Sequence, residues 1–366
     1  MNILYISKLD GYKWQGPNQS VPSQISAQSK YDNVFWYNIN DVKKDEWLKK
    51  IECYNIKDYK DLTIKSLPKP FNKPDLVIFQ GVYKYPFCKL IYEIWEMNIP
   101  YLVIPRCSLT VKAQHKKKLK KIIGNLVFFR KFLRKAAAIQ YLTEKEYKDS
   151  GDKWNRNILV IPNGIDDKHK TKIFNNNKKQ ITGVYIGRID IYHKGLDLLI
   201  DACTKIKDEL IYNNCVIKLY GPDRYNSRSK LEKKINKQGV QKIISLHDGV
   251  FDDEKEDILL NSDFFIMTSR FEGHPMGLIE ALSYGLPCLA TEGTNMTNEI
   301  STADAGWTCE TNEESIANAL RTLIRQRELL HIKGKNAHVL SKKYTWDKIA
   351  EKSHNMYVDL LKQSNN

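Results

Sequence analysis

Two glutamates eight positions apart have the type and spacing to form a binding site. Glu272 and Glu280 lie on either side of a loop-like Gly-His-Pro stretch, which follows an apolar run and precedes helix-forming residues. This order predicts strand, loop and helix, with the helix starting near Met276. Because open α/β sheets bind ligands above the carboxyl ends of their strands, both carboxylates can border one crevice. The carboxylates suit hydroxyls, and the Gly277 and Leu278 amides suit a phosphate, as in a sugar nucleotide. Spacing alone favours the simpler alternative, a surface strand and an amphipathic helix with solvated acids.

A pair of cations occupies a similar position earlier in the chain. A predicted strand ends at Gly187, and a helix is predicted to begin near Lys194. Arg188 and Lys194 would therefore lie at the ligand-binding edge of the sheet, where two cations can neutralise a diphosphate. From position alone, solvated surface residues are the simpler interpretation.

Together these segments resemble the glutamate-seven-glutamate signature of the retaining GT-B glycosyltransferases of family four. The resemblance extends to the Gly-Arg…Lys-Gly motif at 187–195, to the Pro-Asn-Gly-Ile-Asp string at 162–166 and to the Gly-Leu-Pro that begins at Gly285. It implies that Glu272 binds the transferred sugar, Glu280 the ribose, and both cations the donor phosphates. It further implies that catalysis depends on Arg188, Lys194 and Glu272. The segment implied to hold the diphosphate comprises His274, Pro275, Met276, Gly277 and Leu278.

Length and alternation agree with the fold that this resemblance implies. A chain of 366 residues has room for two domains, and its alternating apolar strands and helices predict parallel, doubly wound sheets. The resemblance implies an α/β GT-B fold, with two facing Rossmann-like domains and a cleft between them. We expect an acceptor-binding domain at 1–163 and a nucleotide-sugar-binding domain at 164–344. A C-terminal helix at about 345–366 is expected to cross back onto the first domain.

The first domain has two weaker candidate sites. Residues 8–22 are predicted to form a long loop, with a helix following at 23–30. In the family this loop lies over the donor diphosphate, so Gly16 and Asn18 become candidates. Arg106 follows a predicted strand in a Pro-Arg-Cys segment that resembles a Pro-Arg-Gly segment of polysaccharide glycosyltransferases. It is a candidate for binding a phosphate of donor or acceptor, and a salt bridge is an equally good interpretation.

The positive charge is concentrated in the first half of the chain. Residues 1–163 contain 29 Lys and Arg against 15 Asp and Glu, whereas the remainder is almost balanced. The segment 106–135 has eleven basic residues and no acidic one, with apolar residues at helical spacing. One interpretation is a core-facing stripe with a solvated basic face, and the other is an interfacial helix on an anionic membrane. Nucleic acid is not expected, because no aromatic platform or known nucleic-acid motif accompanies the charge.

The sequence also limits cofactors and location. Its seven cysteines form no Cys-x-x-Cys pair, so neither a zinc site nor a disulfide framework is indicated. No acidic motif suggests a divalent metal, so we expect no metal and no cofactor besides the substrate nucleotide sugar. The amino terminus predicts a strand rather than a signal peptide, so we expect a cytoplasmic enzyme bound peripherally to the inner face of the membrane.

The expected reaction is transfer of a sugar from a nucleotide diphosphate, with UDP preferred. The acceptor would be a hydroxyl of a glycan, or of a glycan linked to a polyprenyl diphosphate, in bacterial surface-polysaccharide biosynthesis of the capsule or O-antigen type. Two alternatives remain: a sugar-nucleotide epimerase of the same fold, which should lack the two-glutamate motif, and a non-catalytic module that binds polyanions or membranes. Donor hydrolysis would distinguish the module.

Overall fold

The chain divides into two compact units. The structure, a computed structural model, describes residues 1–84, 87–115, 117–175, 179–223 and 226–364. The first unit comprises residues 1–164 and 346–366, and the second comprises residues 165–345. The turn Pro162–Asp166 therefore contains the passage from the first unit to the second.

The first unit is built on a parallel seven-stranded sheet of order β3-β2-β1-β4-β5-β6-β7. Its strands are β1 (Asn2–Ser7), β2 (Asn33–Asn38), β3 (Tyr54–Asn55), β4 (Leu76–Gln80), β5 (Tyr101–Ile104), β6 (Ala138–Tyr141) and β7 (Ile158–Val160). Its helices before the passage are α1 (Gly16–Gln28), α2 (Asp45–Leu48), α3 (Phe87–Glu96), α4 (Val111–His115), α5 (Lys118–Gly124), α6 (Arg130–Arg134) and α7 (Glu144–Ser150), with a π-helical turn at Asn125–Phe129 between α5 and α6.

The second unit has a parallel six-stranded sheet of order β10-β9-β8-β11-β12-β13. Its strands are β8 (Ile181–Ile186), β9 (Cys215–Tyr220), β10 (Ile244–His247), β11 (Phe264–Met267), β12 (Cys288–Thr291) and β13 (Gly306–Cys309). Its helices are α8 (Ile191–Lys194), α9 (Leu196–Lys205), α10 (Lys207–Tyr212), α11 (Ser227–Gln238), α12 (Asp252–Asn261), α13 (Met276–Ser283), α14 (Thr297–Thr302), α15 (Glu313–Arg325) and α16 (Leu330–Ser341), with 3₁₀ turns at Glu292–Thr294, Arg327–Leu329 and Lys342–Tyr344.

Burial of both sheet faces explains the continuous apolar strands. In β11, Phe264 and Ile266 pack into one core, whereas Phe265 and Met267 pack into the core on the opposite face. Successive side chains of a strand point to opposite faces, so a sheet covered by helices on both sides needs apolar residues at every position. The predicted doubly wound α/β architecture is confirmed in both units.

The last helix, α17 (Trp346–Ser364), packs on the first unit. Its Ile349 and Tyr357 share a core with strand β1, and the Tyr357 hydroxyl donates to Gln140 Oε1 at 2.6 Å. Its His354 lies 3.0 Å from the buried carboxylate of Asp32, which also pairs with the chain's terminal amine. These buried contacts explain why the chain returns to the first unit.

Helix α1 begins at Gly16, seven residues earlier than the sequence predicted, so the expected loop at 8–22 is wrong over its second half. Pro17 is tolerated in the first turn, where its missing N–H would have no helical partner. Pro22 lies inside the helix and cannot donate to the carbonyl of Asn18. That carbonyl instead accepts a hydrogen bond of 2.8 Å from the indole of Trp47. A tertiary contact therefore compensates for the proline that made the sequence look like a loop.

Candidate active site

The predicted residues of the second unit meet at the ends of two neighbouring strands. Strands β8 and β11 are adjacent in the sheet, although helices α8–α12 and strands β9 and β10 lie between them along the chain. The strand order reverses between them, and such a switch point leaves a crevice beyond the carboxyl ends. Arg188 and Lys194 follow β8, whereas Glu272 follows β11. The fold therefore brings these three residues to one edge.

Lys194 is held by a short, capped turn. The side chain of Asp190 caps helix α8 by accepting from the His193 amide at 3.1 Å, and Gly195 ends it in the left-handed conformation, with φ +61. The Thr268 hydroxyl donates toward the Lys194 and Gly195 carbonyls at 3.1 and 3.0 Å. Because Thr268 follows β11 directly, these bonds fix the lysine to the neighbouring strand.

Glu272 and Lys194 form a largely buried ion pair. Lys194 Nζ lies 2.5 Å from Glu272 Oε1, and each side chain is only 11% exposed. The Ser269 hydroxyl donates to the same oxygen at 2.7 Å. Burial alone would raise the pKa of Glu272, but chiefly the charge of Lys194 holds that pKa below its usual value. The carboxylate is therefore ionised near neutral pH.

His193 connects Arg188 to this pair, and the sequence analysis did not identify it. Its Nε2 lies 2.7 Å from the Phe271 carbonyl, which can only accept, so Nε2 bears the proton. Its Nδ1 is then the acceptor for Arg188 NH2 at 3.4 Å. Burial lowers the pKa of His193, although the charge of Glu272 opposes the shift, so the ring is neutral. Its position directly before Lys194, at the same strand end, was the available signal.

The backbone beside Arg188 is also fixed. The Tyr185 hydroxyl donates to the Arg188 carbonyl at 2.8 Å. A Cβ on Gly187 would lie 2.6 Å from that hydroxyl, so glycine is needed there. The close approach of the Tyr185 hydroxyl therefore explains why a glycine precedes Arg188 in the Gly-Arg motif.

Two further side chains hold the loop that presents Glu272. Arg270 forms a bidentate pair with Asp197, with two N–O distances of 2.7 Å. Asn295 donates to the carbonyls of Glu272 and Gly273. Bidentate pairs impose geometry as well as energy, so the loop is preorganised. Sequence spacing contained no signal for either contact.

Glu280 lies in helix α13, the helix predicted to begin near Met276, and pairs with a residue that the sequence analysis missed. Lys255 Nζ of helix α12 lies 2.8 Å from Glu280 Oε1.

The Leu278 amide, a predicted phosphate donor, already donates to the Pro275 carbonyl at 3.1 Å. The Met276 and Gly277 amides precede the first intrahelical bonds and are therefore the better donors of this turn. A Cβ on Gly277 would lie 3.1 Å from the Ile186 carbonyl, so this glycine permits close packing against β8.

His274 is buried beside an aromatic ring rather than displayed at the surface. Its ring centroid lies 5.0 Å from that of Tyr344. Burial lowers the pKa of His274 to about 3, so its imidazole is neutral at physiological pH. Its ring cannot supply positive charge to a phosphate.

In the first unit, Gly16 and Asn18 lie in the first turn of α1. The Asn18 side chain is buried and donates to Asp10 Oδ1 at 2.7 Å and to the Tyr12 carbonyl at 3.0 Å. Asn18 therefore orders the preceding loop, and its amide nitrogen is engaged within the protein.

Arg106 is the centre of a hydrogen-bond network with neutral partners. Its guanidinium donates to Gln80, Gln24, Ser20 and Asn163 at 2.8–3.3 Å. The salt bridge expected as the alternative is absent among the described residues, where all of its hydrogen-bond partners are neutral. Burial lowers the pKa of Arg106 to about 10. The five bonds engage all its donors, so binding a phosphate would require exchanging some of them.

Potential metal ligands are not clustered in the part of the chain that the structure describes. There, no group of three or more His, Cys, Asp or Glu side chains could hold a metal ion.

Comparison with known proteins identifies the class of enzyme. Residues 166–339, nearly the whole second unit, match the model of the family described as glycosyl transferases group 1. The protein is a glycosyltransferase of the GT-B fold that uses a nucleotide-linked sugar, as the sequence resemblance implied.

Individual relatives are distant. A glycosyltransferase of Methanocaldococcus jannaschii without assigned function is 25% identical over 72% of this chain and 70% of its own. The UDP-Gal:α-D-GlcNAc-diphosphoundecaprenol α-1,3-galactosyltransferase of Escherichia coli is 25% identical over 56% of this chain and about half, 54%, of its own. The structure of Anabaena HepE in complex with UDP has a TM-score of 0.74 at 13% identity, covering 98% of this chain and 100% of HepE. At such identity the structural likeness establishes the fold alone.

The turn at Gly195 provides a stability test of the site. A Cβ there would lie 2.0 Å from the Thr268 carbonyl oxygen, at φ +61. We expect Gly195→Ala to lower the apparent free energy of unfolding by about 3 kcal/mol through strain and overpacking. Denaturation in urea, monitored by tryptophan fluorescence, measures this loss.

Gly151 is the matched control, because it has φ +75 but no atom within 4 Å of an added Cβ. Gly151→Ala should cost only the backbone contribution, about 1 kcal/mol. Equal losses in the two variants would contradict the packing assigned to Gly195.

Proposed function

We propose that the enzyme transfers a sugar from a UDP-sugar to a hydroxyl of a glycan or lipid-linked glycan, with retention of anomeric configuration. The observation that carries this proposal is the buried Lys194–Glu272 pair beside Arg188 at the switch point of the second sheet. Support for UDP comes from HepE, and support for a diphosphate-linked glycan acceptor from the name of the E. coli relative. We propose surface-polysaccharide biosynthesis of the capsule or O-antigen type in a bacterium as the pathway class.

The proposed mechanism uses the charges of the second unit. Cleavage of the sugar–phosphate bond leaves negative charge on the β-phosphate of the departing nucleoside diphosphate. Arg188 and Lys194, with the Met276 and Gly277 amides, are placed to stabilise that charge. The acceptor oxygen attacks the anomeric carbon from the same face, and the leaving phosphate helps take its proton. This chemistry requires no metal ion, and we propose none.

Glu272 and Lys194 change partners when the donor binds. Without donor, the carboxylate neutralises the lysine at 2.5 Å. A diphosphate carries more charge than one carboxylate and can share the lysine. Glu272 keeps the Ser269 bond and can accept from a sugar hydroxyl. The pair thus holds both groups in position before the substrate arrives.

A nucleotide screen followed by product analysis tests the proposal. UDP should raise the melting temperature more than GDP, ADP or CMP, since a ligand that binds only the folded state stabilises it. Proton NMR of the sugar transferred from a UDP-α-sugar should then show an α product. Stabilisation by GDP or ADP alone would overturn the choice of UDP, and a β product would overturn retention.

The basic segment of the first unit supports a second proposal, that the enzyme docks on an anionic membrane surface. Five apolar side chains of α5 and the π-helical turn are exposed by 44–77%, namely Leu119, Ile122, Ile123, Leu126 and Val127. Among residues 118–134, all of them described, only Phe128, Phe132 and Leu133 are buried. The core-facing interpretation of the first five is therefore wrong.

We define these five residues as the apolar patch. Basic residues of α5 and of the following helix α6 accompany it, namely Lys118, Lys120, Lys121, Arg130 and Lys131. Apolar residues that enter the headgroup region beside lysines are typical of helices lying on anionic bilayers. No helix in the described ranges is both long and apolar enough to cross a membrane. We propose a cytoplasmic enzyme attached peripherally to the inner face of the membrane.

Vesicle binding tests the apolar patch. Wild-type protein should co-sediment with phosphatidylglycerol vesicles, less so at high salt because screening weakens the lysine contribution. Leu126→Ser and Val127→Ser should each weaken binding by roughly tenfold, as expected for one lost buried aliphatic side chain. Val339→Ser is the matched control, since Val339 is 68% exposed in the second unit. Equal binding by all four proteins would contradict the proposal.

A further inference from the structure

An open cavity of about 550 Å³ lies at the amino-terminal edge of the first sheet. It is lined by Arg134 at the end of α6, by Ala136, and by the segment 152–157 that leads from α7 to β7. Strands β6 and β7 begin just after these residues, at Ala138 and Ile158. Because open α/β sheets bind their substrates beyond the opposite, carboxyl ends, the cavity lies outside the expected substrate region.

Three cations and one carboxylate line the cavity. The cations are all exposed residues, namely Arg134, Lys153 and Arg156. No ion pair or side-chain hydrogen bond involves them among the described residues, although Lys153 Nζ lies 5.0 Å from the centroid of the Trp154 ring. The carboxylate belongs to Asp152, which accepts from the Tyr147 hydroxyl at 2.6 Å. A net positive charge therefore remains in the cavity.

The segment that carries two of these cations is held in place by the protein. Asn155 donates to the carbonyls of Leu133 and Ala136, at 2.7 and 2.8 Å, and so joins the segment 152–157 to the end of α6. Trp154 is buried in the core of the unit. The backbone around the cavity is thus preorganised, which reduces the entropic cost of binding an anion.

The exposed face of the basic segment leads from the apolar patch to the cavity. Helix α5, the π-helical turn and α6 follow one another without a break. Beyond Val127, the exposed positions are Arg130, Lys131 and Arg134. Residues three, four and seven positions apart share one face of a helix, and Arg134 lies roughly 10 Å further along the axis than Val127. A helix that lies on a bilayer through the apolar patch would therefore bring the cavity to the level of the lipid headgroups.

The lining groups fit a phosphate that carries hydroxyl groups. Arginine and lysine suit a phosphate, whereas a carboxylate accepts hydrogen bonds from hydroxyls. Asp152 would repel a bare anion, but it can accept from the glycerol of a lipid headgroup. We infer that the cavity binds the headgroup of an anionic phospholipid of the phosphatidylglycerol type, with its cations on the phosphate and Asp152 on the hydroxyls. This inference rests on the proposed membrane attachment and adds a discrete lipid site to it.

Vesicles of equal charge distinguish a lipid site from general attraction. Phosphatidylcholine vesicles are prepared with the same fraction of phosphatidylglycerol or of phosphatidylserine, which has no hydroxyl in its headgroup. Wild-type protein should bind the phosphatidylglycerol vesicles severalfold more tightly. Equal affinity would overturn the lipid site but not the attachment, because a basic surface responds to charge alone. No binding to either vesicle would overturn the attachment and, with it, the lipid as ligand.

Arg134→Gln and Arg156→Gln test the cavity directly. Each should weaken binding to phosphatidylglycerol vesicles about tenfold, as for loss of a hydrogen bond to a charged group, and reduce the preference over phosphatidylserine. Arg130→Gln is the matched control, because Arg130 is exposed on α6 but does not line the cavity. It should weaken binding to both lipids by the same factor. A wild-type preference in both cavity variants would contradict the site.

Asp152→Asn separates the headgroup contact from the overall charge. Removing an acid raises the attraction to any anionic surface, so binding to phosphatidylserine vesicles should increase slightly. Binding to phosphatidylglycerol should instead fall severalfold, because a neutral amide is a weaker acceptor than a carboxylate. An equal increase for both lipids would contradict the contact between Asp152 and the headgroup.

A soluble headgroup separates the lipid from free phosphate as the ligand. The full chain is treated briefly with phenylglyoxal, and arginine modification is quantified by mass spectrometry. Glycerophosphoglycerol should protect Arg134 and Arg156 severalfold more than inorganic phosphate does at the same concentration, and neither should protect Arg130. Equal or better protection by inorganic phosphate would overturn the assignment to a lipid. Failure of the proposed sugar transfer would appear separately, as a lack of UDP stabilisation.

Discussion

Lys194→Ala is expected to lower kcat by about 10²–10³-fold, the usual effect of losing one preorganised group that stabilises developing charge. The backbone of Lys194 is held by the capped turn and by Thr268, and in the proposed mechanism its amine stabilises the charge of the leaving phosphate. Initial rates at saturating UDP-sugar measure the loss. Nucleotide affinity should fall less than kcat, because Glu280 and the helix amides remain.

Removing Lys194 also leaves Glu272 buried without its main counterion. Breaking one partner of a buried pair can cost about 3–5 kcal/mol, so folding must be checked by melting and by the response to UDP. Lys194→Arg keeps the charge and serves as the folded variant, with part of the activity retained. Lys205→Ala is the control, because it removes the more exposed Lys205–Glu314 pair of 3.2 Å. Wild-type kcat in folded Lys194→Ala would contradict the role of Lys194.

Glu280→Ala should weaken UDP binding by roughly 10–100-fold, the range for a hydrogen bond to a charged group. Its carboxylate is held by Lys255 at 2.8 Å, so it is preorganised to accept the ribose hydroxyls. The measurement is the UDP-induced rise in melting temperature, with the dissociation constant from calorimetry.

Glu328→Ala is the control for Glu280→Ala, because it removes an exposed carboxylate of the same unit. Glu280→Gln keeps an acceptor oxygen and should bind UDP with intermediate affinity. If Glu280→Ala keeps full UDP stabilisation, Glu280 does not bind the nucleotide.

The local sequence pattern of the second unit predicted where its candidate site residues lie relative to the strands and helices. Apolar runs bounded by Gly and Pro located the strands that end before Arg188 and Glu272, because buried parallel strands need apolar residues at every position. The start of α13 was also predicted correctly, at Met276. Which groups bind the donor stays a prediction until the variants are measured.

One error and one undecided feature of the first unit have tertiary causes. Gly16, Pro17 and Pro22 indicated a loop, yet they lie in α1. Pro22 has no N–H to donate to the Asn18 carbonyl, and the Trp47 indole donates to it instead. In the basic segment, the sequence left open whether Leu126 and Val127 face the core or a membrane surface; the structure exposes both and buries Phe128 and Phe132. Both faces of that helix carry apolar residues, so periodicity could not decide between them.

The sequence by itself determined the class of fold, the order of strands and helices, and the motifs that end at Lys194, Glu272 and Glu280. These follow from local composition and from short-range spacing. Only the tertiary structure decided the pairing of Lys194 with Glu272 and the link through His193 to the Phe271 carbonyl. Those contacts join residues that follow different strands, and the pairing of strands in the sheet brings them together.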